Sequence, residues 1–179
     1  MRYDDERANV LERYFAGLAE HTFEVQLGVA DPGLIDYLTA LLTQFVRNDA
    51  VYKVRDLTGR TMDDVARMFL EAEARVGNAR REVHRHIGDF TLFWAGVYPE
   101  ALERRKQSAA ERAENFAALG KRAYYIASTI ETDNEEDAPA DLLERLSARF
   151  ELCAYGLREV RRQWEDRDDG ISPQTFLIN

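Results

Sequence analysis

Glu82, His86 and Asp89 have the types and the spacing to do chemistry, and they lie in one stretch, EVHRHIGDFTLFWAGVY, that runs from Glu82 to Tyr98. On a helical wheel with about 100° per residue, Val83, Ile87, Phe90, Trp94 and Val97 share one sector. Their steps of four, three, four and three are those of a helix burying a stripe. His86 projects into the same sector, with Glu82 four residues before it and Asp89 three after it; His84 projects the other way, with Thr91. Residues at i and i+4 are neighbours on a helix, so Glu82 and His86 can point at one metal ion. A carboxylate with an imidazole suits iron, manganese or zinc, and Glu71 or Glu73 on the preceding helix can add a ligand.

A di-metal centre is disfavoured. Carboxylate-bridged bundles use Glu-x-x-His on two helices; this chain has none, and His21, His84 and His86 are its only histidines. A mononuclear site is the version that survives. The plainer alternative, which we favour, makes His86 a core-edge histidine held by Glu82 or Asp89, whose charge would raise its pKa and fix its ring. No cofactor is then expected. A second candidate is an apolar ligand pocket lined by Phe90, Phe93, Trp94 and Tyr98, facing Gly120, Ala123 and Tyr124. Against it, aromatic residues at helical spacing are ordinary core material, and the small residues of the facing helix fit close packing.

The elements that must position these groups read as helices. Asp4 to Leu18 repeats apolar residues in steps of three and four, with acids at its start. Residues 22–29 fit either period; we favour helix ending at Gly28. Asp31 and Pro32 suit a cap and first turn, followed by a buried helix to about Val46. Residues 48–60 read as a connector with a strand-like AVYKV. Thr61 opens a helix striped by Met62, Val65, Phe69, Ala72 and Val76, which Gly77 and Asn78 stop or kink. Pro99 ends the aromatic helix. Ser108 to Glu111 has the capping-box pattern, and Ala113, Phe116, Gly120, Ala123, Ala127 and Ile130 form a stripe of mostly small residues. After the acidic loop TDNEEDAPAD, Leu143, Leu146, Phe150, Cys153, Leu157, Val160 and Trp164 give the most regular stripe of all. Cys153 lies on it as a small hydrophobe.

We therefore expect an all-α bundle of about six helices, four of them long, with little or no sheet. It should span residues 1–168 as one domain, with 169–179 a tail ending on Phe176, Leu177 and Ile178. The net charge of −9 weighs against nucleic acid and anionic membrane surfaces. The basic clusters, Arg80, Arg81 and Arg85 among them, read as solvated faces or salt-bridge partners. No apolar run approaches the roughly 20 residues of a membrane span. With one cysteine and no signal-peptide pattern at the start, the expected location is cytoplasmic. No nucleotide-binding, hydrolase or metalloprotease motif is present. The expected role is a non-catalytic interaction or structural module that associates with itself or another protein. The alternative is a small-molecule or mononuclear metal-binding bundle centred on His86.

Overall fold

The computed structural model describes residues 2–46, 65–99 and 113–167. The protein is an all-α helical bundle: among these residues are seven α-helices and no strand. Helix α1 is Arg2–Glu20, α2 Pro32–Val46, α3 Val65–Glu73, α4 Gly77–Val97, α5 Ala113–Thr129, α6 Ala140–Ala148 and α7 Phe150–Arg167. The chain forms two compact units. One comprises Met1–Ala50 with Tyr155–Asn179, the other Val51–Ala154. The connector at 48–60, the Thr61 helix start, the Ser108 capping box and the apolar tail all lie outside the described residues.

In the first unit, α1 runs on into a π-helical turn, His21–Gln26. Gly28 then breaks the path at φ +65°, a conformation that costs glycine little. The helical reading of 22–29 is the right one; the alternation of Phe23 and Val25 is not a strand but leaves Phe23 fully buried and Val25 exposed. Asp31 caps α2 as its sequence implies, its Oδ1 accepting from the Leu34 N–H at 3.2 Å. Trp164 of α7 meets Phe15 edge-on, with ring centroids 5.0 Å apart. Gly156 of α7 leaves the room that the Phe23 ring fills. Gln163 Nε2 donates to Thr22 Oγ1 at 2.8 Å, tying α7 to the π turn.

In the second unit, α3, α4, α5 and α6 pack side by side in chain order. The α3 stripe holds in part: Val65 and Ala72 are buried as expected, Phe69 is half-buried with Met68 beside it buried instead, and Val76 is 84% exposed. The helix stops at Glu73, and the chain turns through Ala74 to Val76 before Gly77, at φ +55°, opens α4. Every member of the stripe from Leu143 to Trp164 is buried, yet it runs over two helices. The chain leaves helical geometry at Arg149 (φ −110°, ψ 23°), and Phe150 begins α7. Cys153 is fully buried, as its place on the stripe implies.

Helix α4 is the central element of this unit. We expected one buried stripe; instead the helix is covered on all sides from Val83 to Phe93, with only Arg85 in that run half-buried. Helices α3 and α5 both lie against it. A close approach to α5 is possible because both helices carry glycine at the contact. A Cβ on Gly88 would come within 2.6 Å of the Tyr124 ring, and one on Gly120 would collide with Thr91 and Phe150. The small residues of α5 therefore serve close packing. Among the described residues, no helix is long and apolar enough to cross a membrane.

Candidate functional site

Glu82, His86 and Asp89 all come from α4, and a residue read only as part of a basic cluster organises two of them. Arg85 lies three residues after Glu82 and four before Asp89. Its Nη2 donates to Glu82 Oε2 at 2.8 Å, its Nε lies 3.2 Å from the same oxygen, and its Nη1 donates to Asp89 Oδ2 at 2.9 Å. Glu82, which the i, i+4 spacing sets beside His86, bonds Arg85 and lies 3.8 Å from Arg81. A guanidinium carries five donors and a permanent charge, so it competes strongly for a nearby carboxylate. His86 itself is buried, with 7% of its surface exposed.

Asp89 is also buried, and its second oxygen, Oδ1, accepts from the Tyr124 hydroxyl of α5 at 2.7 Å. Arg85, Asp89 and Tyr124 thus form a charge-assisted chain from one helix to the next. Both oxygens of a buried carboxylate are satisfied, which a buried charge requires. The further candidate ligands are engaged too. Glu71 accepts from Arg75 Nε at 2.7 Å, and Glu73 pairs with Arg80 at 3.3 Å. Among the described residues, no group of three or more His, Cys, Asp or Glu side chains is arranged to hold a metal ion.

The aromatic residues of the proposed pocket make a cluster of their own. Phe93 meets Trp94 edge-on at 5.4 Å and Tyr98 at 5.8 Å, while Phe90 lies 6.3 Å from Trp94 and 6.5 Å from Phe116 of α5. Tyr124 lies against Gly88 and Phe150. These centroid separations are those of ordinary aromatic pairs.

Two further α4 residues were missed. Arg81, read as part of a solvated face or as a salt-bridge partner, is 1% exposed. Its Nε donates to the Ile130 carbonyl at 3.1 Å and its Nη2 to the Ala138 carbonyl, and Nη1 lies 3.7 Å from Asp137. Within the acidic loop, Asp137 in turn accepts from Thr132 Oγ1 and Asn134 Nδ2. Arg81 therefore closes both ends of a loop that composition alone makes look like a loose spacer. The second residue, His84, is fully buried, and neither ring nitrogen has a hydrogen-bond partner. Its ring meets Phe69 of α3 at 5.6 Å. Burial, and then the charge of Arg80, push its pKa down to about 4; Glu73 opposes this and Arg122 of α5 adds to it. The sequence did carry a signal for this enclosure. From His86 to Tyr98 the only charged residue is Asp89, too few for a helix with a wet side.

The fold and the site define an all-α bundle whose central helix is tied to its neighbours by buried ionic hydrogen bonds. Comparison of the chain with family models, with curated proteins and with solved structures finds no match.

Proposed function

We propose that this protein is a non-catalytic helical interaction module that associates with a second copy of itself through the outer face of α3. The observation that carries this is the pattern on that face. Val65, Met68 and Ala72 are buried, yet Ala66 and Leu70 on the helix and Ala74 just past its end, in steps of four, are exposed, Leu70 by 70%. Val76, at the corner beyond them, is more exposed still. Residues four apart on a helix form one ridge, and alanines on either side of a leucine let another helix come close. Covering Leu70 would contribute about 2 kcal/mol per copy. The buried carboxylates support the same reading, because Asp89 and Glu71 are engaged by Arg85 and Arg75, which hold the fold together. The net charge of −9 favours a protein partner over nucleic acid, and a cytoplasmic setting fits the single buried cysteine.

Sedimentation equilibrium tests this. The parent protein should be dimeric or larger at micromolar concentration, and Leu70→Glu should be a folded monomer. A parent protein that stays monomeric throughout that range ends the proposal.

A further inference from the structure

We propose that Arg80 and His84 of α4, with Arg122 of α5, form a binding site for the phosphate group of a small molecule. Three buried nitrogens at this place, Arg80 Nε and both ring nitrogens of His84, have no hydrogen-bond partner. Buried polar groups are nearly always paired, so an exception calls for a cause; Arg81 Nη1 on the same helix is another, but it faces Asp137, whereas these three lie within one turn of each other. The Arg122 guanidinium lies 5.6 Å from the centre of the Phe69 ring, whose other close neighbour is His84. Arg122 has no ion pair or hydrogen bond among the described residues. Arg122 and His84 thus meet the same phenyl ring from two helices, and Arg80, one turn before His84 on α4, lies near enough for its charge to act on the imidazole. Among the described residues the carboxylate that faces them is Glu73, which reaches Arg80 from an exposed position.

The charges select the ligand. With the ring neutral, the two arginines and Glu73 leave one positive charge uncompensated. A carboxylate monoanion cancels it without calling on His84, and the ring would stay unpaired. A phosphate dianion overshoots by one, and a proton on His84 restores neutrality and makes each ring nitrogen a donor. The low pKa of the empty site, set by burial and by Arg80 and Arg122, is then reversed when the dianion enters. This site does not involve Leu70, so it can stand or fall apart from self-association.

The test is to titrate the full chain with inorganic phosphate and follow the His84 ring nitrogens by NMR across pH. Phosphate at millimolar concentration should shift those signals and move the His84 pKa up from about 4. Arg122→Gln, at an exposed position and with folding checked by circular dichroism, should weaken binding on the order of tenfold. Arg80→Gln should do the same, and the Leu70→Glu background should bind like the parent. Unmoved His84 signals, or undiminished binding by both arginine variants, would overturn the site. Acetate that binds as tightly as phosphate would overturn its assignment to phosphate.

Discussion

Arg81 and His84 sit three residues apart on the same helix, are equally buried, and are treated oppositely by their surroundings. Arg81 gives its donors to two main-chain carbonyls and faces Asp137. His84 has a phenyl ring beside it, two arginines near it and no hydrogen bond. The first arrangement uses a buried charge to join elements distant in sequence. The second keeps a titratable ring in a setting that lowers stability wherever the ring must charge. The fold thus carries two kinds of buried polar group, one that fastens distant segments and one whose ring nitrogens are left unpaired.

The largest effect should come from removing the fastening. Arg81→Met keeps the bulk and deletes the donors, leaving the Ile130 and Ala138 carbonyls without them. The expected loss is about 3 kcal/mol, read as a lower urea midpoint at unchanged slope. A change under a quarter of that would mean that water replaces the guanidinium, and the contrast with His84 would fade.

Acid comes next. The folded His84 ring resists protonation until about pH 4, whereas in the unfolded chain it takes a proton near 6.5. The unfolded state therefore binds more protons between those values, and stability falls as pH drops from 6.5 towards 4. At pH 4.5 this one ring should cost about 2 kcal/mol relative to pH 7.5. Carboxylates titrate there too, so the measurement is a difference. His84→Leu should show an acid loss smaller than the parent's by that amount, while at pH 7.5 it should be as stable or slightly more so. Equal acid losses in the two proteins would show that the ring is not held neutral.

The smallest effect lies in the link between α4 and α5. Tyr124→Phe removes the hydroxyl from Asp89 Oδ1 and leaves a buried carboxylate oxygen short of one donor. About 1–2 kcal/mol should be lost at neutral pH. Thermal unfolding of the parent and the variant at neutral pH measures that difference.

The helical architecture was legible because it is written in local spacing. Phe15 and Leu18, Leu34 and Leu38, and the run from Leu143 to Trp164 all point inward as their intervals imply. The break at Arg149 was not legible, since Leu146, Phe150 and Cys153 keep the same intervals across it. The candidate site was half legible. Glu82, His86 and Asp89 are neighbours on a buried helix, but the spacing that pairs Glu82 with His86 pairs it equally with Arg85, and chemistry decides between them. Arg81 was beyond reach, because its partners lie 49 and 57 residues away and are carbonyls that every residue possesses. His84 was misjudged because a wheel assumes that a helix has an outside.

The fastening at Arg81 has a consequence for how this protein can vary. Its two acceptors are backbone oxygens, so the exposed side chains between them, such as Asp133, Glu135 and Glu136, can change freely without loosening it. Spacing is another matter: an insertion or deletion between Ile130 and Ala138 would carry one carbonyl out of the guanidinium's reach. Apart from Thr132, Asn134 and Asp137, whose side chains bond within the loop, this acidic segment is held to a length and not to its letters.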